Sequence, residues 1–332
     1  MRRLLISWRR AGAIALCTSM ALMWPAVARA QGDRYAVLVQ GASGGDPYAS
    51  QHRKWLDALA TLLKGKFGFD PAHVQVLAEQ PKAGEQLANA ENVKALFTKL
   101  APQVHPDDQL FVVLIGHGGG DGADAKFNLV GPDLTVVEWS ALLSPVKAHL
   151  AFIDTTGGSF PYLKGLSAPG RVVITATATF GQKYDTVFPD AFIQALSAPA
   201  ADADKNGRIS LLEAFLYAQT LVKQHYDQAH YLPTENAVFN DTGDGSAQDK
   251  AVPGGAPGTI ASLTYLDAVA APKSSDPAVQ ELLQRQQALT QQVDDLRKRR
   301  PTMAPEQFDQ EFEKLIVELA LVSRDVRRRT GG

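Results

Sequence analysis

The sequence predicts an α/β fold in which a mainly parallel sheet is covered by helices. Short apolar runs alternate with longer segments in which apolar residues recur every three or four positions. This alternation is typical of βαβ units. The runs consist of consecutive apolar residues, which indicates strands that are buried on both faces. From about residue 270 the sequence is polar and its apolar residues have a different, heptad-like spacing.

Five apolar runs are the predicted strands, and the amphipathic segments between and after them are the predicted helices. The strands are predicted at 34–39, at 73–77, at 171–177 and in two runs that end at His117 and Asp154. The helices are predicted at 50–67, 85–100, 137–143, 187–196 and 211–225. The polar, Gly-rich segment 240–257 predicts a loop, and 259–266 is compatible with an edge strand.

The first 30 residues have the pattern of a secretory signal peptide. Arginines near the start precede an apolar run at 11–23, and an A-x-A motif ends at Ala30, before Gln31. We therefore predict an exported protein, periplasmic or secreted, that is not bound to a membrane after cleavage. An uncleaved anchor is the alternative, and the shortness of the apolar run argues against it.

The composition excludes several classes of site. Cys17 is the only cysteine and lies in the signal segment, so the mature chain has none for disulfides, thiolate catalysis or zinc-thiolate sites. The chain has 33 Lys and Arg against 35 Asp and Glu, and five of the arginines precede residue 31. The mature chain is therefore acidic, which argues against nucleic acid as a partner.

Candidate catalytic residues follow two neighbouring predicted strands. His117 lies in a turn with four glycines, and Thr155, Thr156 and Ser159 follow the next strand. Carboxyl ends of parallel strands meet at one edge of a sheet, where ligands bind. His117 is thus a candidate general base, the Gly118 amide a candidate oxyanion donor, and the three hydroxyls are candidate nucleophiles. A solvated loop histidine is the alternative interpretation.

Five segments resemble, in the same order, the motifs of the legumain-type cysteine peptidases of the caspase-like group. They are GASGGDPY at 41–48 with His52 and Arg53, GHGG at 116–119, LTVVEW at 134–139, FIDTTGGS at 152–159 and VITATA at 173–178. The resemblance spans residues 34–192. It implies a caspase-like three-layer sandwich with a mainly parallel, six-stranded sheet and helices on both faces.

The sequence departs from this family at the nucleophile. The family's cysteine falls on Thr156, or on Thr155 if the alignment moves by one residue. A threonine hydroxyl is a poor nucleophile without strong base assistance. We therefore predict a pseudoenzyme that binds a peptide or protein, with a hydrolase that uses His117 and the hydroxyl of Thr156 or Ser159 as the alternative. Only Arg53 or His52 can take the place of the family's specificity arginine.

Segment 202–213 matches the twelve-residue calcium loop of EF-hands. Gly207 occupies the sixth position, where the loop turns sharply. The predicted ligands, which include the backbone carbonyl of Arg208, are Asp202, Asp204, Asn206, Arg208, Ser210 and Glu213. A structural Ca²⁺ ion is the predicted cofactor, and an Asp- and Asn-rich turn without metal is the alternative.

The C-terminal segment predicts a helical hairpin. Apolar residues step by three and four through two stretches that are separated by Pro301 and Pro305. We place the domains at 1–30 for the signal peptide, 31–270 for the caspase-like domain and 271–332 for the hairpin. The hairpin packs on itself or on the domain, or it forms a homo-oligomer or partner contact. A scaffold that acts through the hairpin is therefore a third candidate function.

Overall fold

The computed structural model describes residues 32–252, 256–268, 274–300 and 303–330. The predicted signal peptide lies outside these residues, and so do Pro301 and the predicted domain boundary at 270. Within the described part of the chain, no helix combines the length and the apolar character that a membrane span requires.

Strands and helices alternate as far as residue 240, and the elements described after it are helices. The strands are β1 (Arg34–Gln40), β2 (Val74–Ala78), β3 (Gln86–Leu87), β4 (Gln109–Ile115), β5 (Gly118–Gly119), β6 (Lys126–Phe127), β7 (Leu134–Thr135), β8 (His149–Asp154), β9 (Arg171–Thr175) and β10 (Val238–Asn240). The helices are α1 (Tyr48–Lys64), α2 (Ala90–Leu100), α3 (Val136–Leu143), α4 (Phe160–Leu166), α5 (Phe188–Ala195), α6 (Leu211–Ala229), α7 (Thr259–Ser262), α8 (Pro277–Arg299) and α9 (Pro305–Thr330).

The central sheet has the strand order β10-β9-β8-β4-β1-β2-β3. All neighbours in it are parallel except β10 and β9, which are antiparallel. The predicted mainly parallel α/β sheet is therefore confirmed. The sheet has seven strands rather than six, because the two-residue β3 extends one edge.

Helices cover both faces of the sheet, and alternate residues of each strand point to opposite faces. On one face, Leu38 and Val113 belong to a core with α1, α5 and α6. On the other face, Val39 and Val112 belong to a core with α2, α3 and α4. The consecutive apolar residues of β1 and β4 are thus explained by burial on both sides.

Four features differ from the sequence predictions. Segment 259–266 is not an edge strand: it begins as α7, and only Tyr265 makes an isolated bridge, to Ser210. The antiparallel edge is β10, whose three residues are too few to show a period. Helix α4 and the small antiparallel sheet β5-β6-β7 were also not predicted.

The C-terminal helices form the predicted hairpin. α8 and α9 pack against each other, and α8 contacts α7 at the domain. Seam residues of both helices are buried, among them Leu289, Leu296 and Phe308. The apolar residues at heptad-like spacing therefore pack between two helices of the same chain.

Candidate functional site

The turns after β1, β4 and β8 meet at the carboxyl edge of the sheet. The Gly41 amide donates to the Ile115 carbonyl at 2.9 Å, and the Thr155 amide donates to the Leu114 carbonyl at 3.1 Å. These bonds prolong the parallel pairing beyond the strands. They place His117, two residues after β4, beside the turn that contains the candidate hydroxyls.

Both ring nitrogens of His117 face hydrogen-bond acceptors. Nε2 lies 3.1 Å from the Ser43 carbonyl oxygen, and Nδ1 lies 3.0 Å from Oδ1 of Asp185. Each contact is a hydrogen bond only when the nitrogen carries a proton. In this arrangement the two neighbours hold His117 in place, and neither ring nitrogen makes a hydrogen bond to a candidate hydroxyl.

Two rings of α1 pack against His117. The centroids of Tyr48 and His52 lie 4.9 Å and 5.0 Å from the His117 ring, both in edge-to-face geometry. His52 is 4% exposed, and its Nδ1 has no hydrogen-bond partner. Burial, with the nearby His117 charge as a smaller cause, lowers the pKa of His52 from 6.5 to about 4. His52 is therefore neutral at pH 7.

Two of the three candidate hydroxyls are committed to structural hydrogen bonds. Thr155 Oγ1 donates to the Leu114 carbonyl at 2.7 Å. Ser159 Oγ shares a 2.9 Å hydrogen bond with Thr177 Oγ1 and accepts one from the Thr177 amide at 3.2 Å. Both residues are at most 2% exposed. Both hydroxyls are therefore engaged in hydrogen bonds within the fold.

The third hydroxyl, that of Thr156, is buried beside the His117 turn. Its Oγ1 makes no hydrogen bond of ordinary geometry, and the residue is 1% exposed. A Cβ added at Gly118 would lie 2.9 Å from this oxygen. Thr156 and Gly118 are thus brought together, but the His117 ring is turned toward Ser43 and Asp185.

The glycines of both turns allow the backbones to approach closely. A Cβ at Gly158 would lie 2.4 Å from the Gly118 carbonyl carbon, and one at Gly157 would lie 2.3 Å from the Tyr184 carbonyl oxygen. A side chain at either position would force the turns apart. The close packing of the turns therefore explains these two glycines.

Asp154, the last residue of β8, makes no hydrogen bond to His117. Its Oδ1 accepts from the Thr156 amide at 2.9 Å, and its buried Oδ2 has no partner. Thr156 Oγ1 lies near the Asp154 carboxyl group and slightly favours its charged form, although the two groups do not meet hydrogen-bond geometry. Burial outweighs both effects and raises the pKa of Asp154 from 3.8 to about 7.

Arg53 does not face this site as a free cation. Its guanidinium forms two short bonds with the Glu85 carboxylate, at 2.6 and 2.7 Å, and a third with Asp57 at 2.5 Å. The expected specificity arginine is therefore already neutralised within the chain. His52, the other candidate, is buried and neutral.

A small cavity lies between the two glycine turns. It has a volume of about 40 Å³ and is bordered by Gly119, Gly158, Phe160, Phe180 and Lys183 among others. Pockets that enclose small-molecule ligands are usually about 300 Å³ or larger. The cavity holds at most a water-sized group, so a larger ligand at this site must bind on the surface.

The predicted calcium loop is the second candidate site. Oxygen atoms of Asp202, Asp204 and Glu213 lie within 4.8 Å of one another. Asp202 accepts from the amides of Asn206 at 3.1 Å and Gly207 at 3.0 Å, which turns the loop around the carboxylate. These are hard oxygen donors in a preformed bend, and the residues fit a Ca²⁺ ion.

Segment 264–267 braces this loop from outside. Arg208 forms a bidentate pair with Asp267, with distances of 2.8 and 2.9 Å, and its guanidinium lies 3.8 Å from the centroid of the Tyr265 ring. The Asn206 side-chain amide donates to the Tyr265 hydroxyl at 3.1 Å. The loop is therefore tied to the chain segment that leads to the C-terminal hairpin.

Sequence reasoning missed several residues that shape both sites. Asp185, Ser43 and Tyr265 make the contacts described above but lie in irregular segments with no repeating pattern. Asp185 is 68 positions from His117 in the chain, and nothing local indicates their contact. Only the presence of several polar residues in 182–186 was a weak signal.

No family model matches the chain, and no curated protein matches its sequence. Solved structures do resemble it. A structural-genomics protein from Geobacter sulfurreducens is 14% identical with a TM-score of 0.41, over 63% of this chain and 92% of that one. The Drosophila initiator caspase Dronc is 11% identical with a TM-score of 0.39, over 65% of this chain and 81% of that one. The α/β assignment stands on the strand topology itself.

Proposed function

We propose that this protein is an exported, catalytically inactive relative of the legumain-type peptidases that binds a peptide or protein ligand. The observation that supports inactivity best is the state of Thr156, which takes the place of the family's cysteine. Its hydroxyl is buried, and the neighbouring His117 has both ring nitrogens directed at acceptors. A buried alcohol without a base to remove its proton is not a working nucleophile.

The surface beside this site favours an extended peptide. β5 pairs with β6 along one edge, and no described strand pairs with its other edge. Such an edge can add a peptide strand through backbone hydrogen bonds. Phe180 and Tyr184, which are 47% and 68% exposed, offer apolar contacts in the loop nearby. A surface ligand also agrees with the small size of the cavity.

The proposal includes a structural Ca²⁺ ion in loop 202–213. It is supported by the ligand spacing in the sequence and by the three carboxylates that converge in the loop. Calcium concentrations outside the cytoplasm keep even weak sites of this kind filled. The ion would neutralise the convergent carboxylates and stabilise the start of α6.

A hydrolase that uses the Thr156 hydroxyl with His117 is the competing function. One observation favours it: the Thr156 Oγ1 is not committed to another group, and it lies beside Gly118. Catalysis would require the His117 ring to leave Asp185 and the Thr156 hydroxyl to become accessible. This competing function can be tested directly.

The first prediction is that the mature protein neither cleaves peptides nor reacts with a hydroxyl-directed fluorophosphonate. The measurement compares wild type with His117→Ala on a peptide library and on a labelling gel, with an active serine hydrolase as the positive control. Because the Thr156 hydroxyl is buried and the His117 nitrogens are directed at other groups, both proteins should be equally inert. Turnover or labelling that disappears in His117→Ala would refute the pseudoenzyme and establish the hydrolase.

Ligand binding has its own test, which uses a phage-displayed random peptide library. A Cβ at Gly119 meets no atom within 4 Å, so Gly119→Val is expected to fold normally while it fills the surface beside β5. Peptides selected on wild type should lose binding to Gly119→Val, with an unchanged melting temperature. Equal binding to both proteins would exclude this edge as the ligand site.

A further inference from the structure

Helix α9 has a second apolar face that the hairpin does not use. The seam toward α8 includes the buried residues Phe308 and Val326. On another side of the helix, Ile316, Val317 and Leu321 are 38%, 53% and 46% exposed. With the exposed Ala320 they form a stripe at i, i+1, i+4 and i+5, which we call the outer stripe.

Charged residues flank the outer stripe in an ordered way. On the same face, the exposed acid Glu313 lies one turn before the stripe, and the exposed acid Asp309 lies two turns before it. The same distances after it lie the exposed arginines Arg324 and Arg328. Both arginines contact Asp325 of their own helix, at 3.8 and 3.3 Å. Since a guanidinium has five donors, each still has donors for a partner.

We propose that the outer stripe binds the outer stripe of a second copy of this chain, with the two α9 helices antiparallel. A two-fold axis between residues 318 and 319 places Val317 opposite Ala320 of the partner copy and Ile316 opposite Leu321. An isologous contact of this kind is closed and self-complementary. This proposal is independent of the ligand site and of the calcium loop.

The charges select the antiparallel arrangement. With the same axis, Glu313 lies opposite Arg324 of the second copy, and Asp309 lies opposite Arg328. Each pair occurs twice because of the symmetry, so the apolar stripe is enclosed by four ion pairs. A parallel arrangement would instead place Glu313 beside Glu313 and Arg324 beside Arg324, and these like charges repel.

The contact is small, and a weak, salt-sensitive dimer follows from its size. Its apolar centre consists of four partly exposed side chains on each copy, which is less than most stable interfaces bury. The surrounding ion pairs are exposed to solvent and are therefore screened by salt. The dimer should accordingly dissociate on dilution and on addition of salt.

Charge reversal provides the test, with sedimentation velocity of the mature chain over a concentration series at low salt. Glu313→Arg and Arg324→Glu should each raise the dimer Kd by about tenfold, because two ion pairs become like-charge contacts. The double variant should recover the wild-type Kd, since the two exchanged side chains would again attract each other across the interface. Residues 313 and 324 are three turns apart in one helix, so only contact between copies explains recovery.

Two further variants complete the experiment. Leu321→Glu should abolish the dimer because it places a charge at the centre of the stripe. Glu281→Arg, an equal charge change on the exposed face of α8, should leave the Kd unchanged. Wild type that stays monomeric at every concentration would overturn the proposal. A dimer that responds equally to Glu281→Arg, or a double variant without recovery, would overturn it as well.

Discussion

Two buried ionisable side chains near the strand ends each have a polar atom without a hydrogen-bond partner. They are His52, through Nδ1, and Asp154, through Oδ2. Burial disfavours the charged form of both, so it lowers the pKa of His52 and raises that of Asp154. Unpaired buried polar atoms are costly and rare.

When the free energy of unfolding is plotted against pH, the titration of His52 and that of Asp154 should give slopes of opposite sign. The folded-state pKa of His52 is depressed, so its contribution is present above pH 6.5 and is lost as the pH falls toward 4. The folded-state pKa of Asp154 is raised, so its contribution is present below pH 3.8 and is lost as the pH rises through 7. Between pH 4 and 6.5 the two slopes oppose each other.

We therefore predict that the variants His52→Gln and Asp154→Asn separate the two slopes. Relative to His52→Gln, wild type should lose free energy of unfolding as the pH falls from 6.5 to about 4. Relative to Asp154→Asn, it should lose about 4 kcal/mol as the pH rises from 3.8 to about 7, at about 1.4 kcal/mol per pKa unit. Urea unfolding at a series of pH values measures both. Differences that do not change with pH would contradict the assigned pKa shifts.

At the scale of elements, the calcium loop and helix α6 share one carboxylate. Glu213 Oε2 accepts from the amide and the hydroxyl of Ser210, both at 2.8 Å, which forms a capping box at the start of α6. Glu213 Oε1 accepts from the Ala203 amide at 2.9 Å, inside the loop. The same side chain thus starts the helix and closes the loop.

Glu213→Gln separates the two roles. Its amide oxygen can still accept from Ser210, so the cap persists, but the charged bidentate ligand is lost. We predict that Ca²⁺ raises, and a chelator lowers, the melting temperature of wild type, because the ion binds the folded state. The double variant with Asp202→Ala should show no such response.

Two controls define this calcium experiment. Mg²⁺ should have a smaller effect than Ca²⁺, because it demands a tighter octahedral site. Asn89→Ala, which removes the N-cap side chain of helix α2 and none of the predicted ligands, should lower stability by about 1 kcal/mol and keep the calcium response. A wild-type melting curve that is insensitive to chelator would refute the site.

At the scale of the whole molecule, segment 264–267, which contacts the predicted calcium loop, lies between the sheet domain and the hairpin in the chain. The Arg34 guanidinium donates to the Leu266 carbonyl at 2.5 Å and to the Phe67 carbonyl at 2.7 Å, which fixes this segment to the sheet. The two cores of the domain consist of residues that precede position 267. The described residues of the hairpin therefore belong to neither core.

Deletion of the hairpin after Ala268 should leave the sheet domain folded. We expect a melting temperature within about 3 °C of that of the full mature chain, since a loss of about 1 kcal/mol shifts a domain of this size by roughly 2–4 °C. Circular dichroism melting measures it, and the calcium response serves as the control for an intact loop. A truncated chain that is unfolded would instead make the hairpin part of the domain.

Local patterns in the sequence predicted most of the architecture. Consecutive apolar residues in β1, β4 and β8 predict strands because burial on both faces leaves no polar position. The spacing of the predicted ligands in 202–213 and of the apolar residues in α8 and α9 is equally local. Periodicity and spacing can be seen in one segment at a time, so these predictions needed no knowledge of distant contacts.

Only the tertiary structure decided how the candidate site is arranged. Whether His117 can act as a base depends on Asp185 and Ser43, and whether Ser159 is free depends on Thr177. These partners come from other elements, and no local period records them. The exposed stripe on α9 became evident in the same way, because only packing shows which of two apolar faces the hairpin uses.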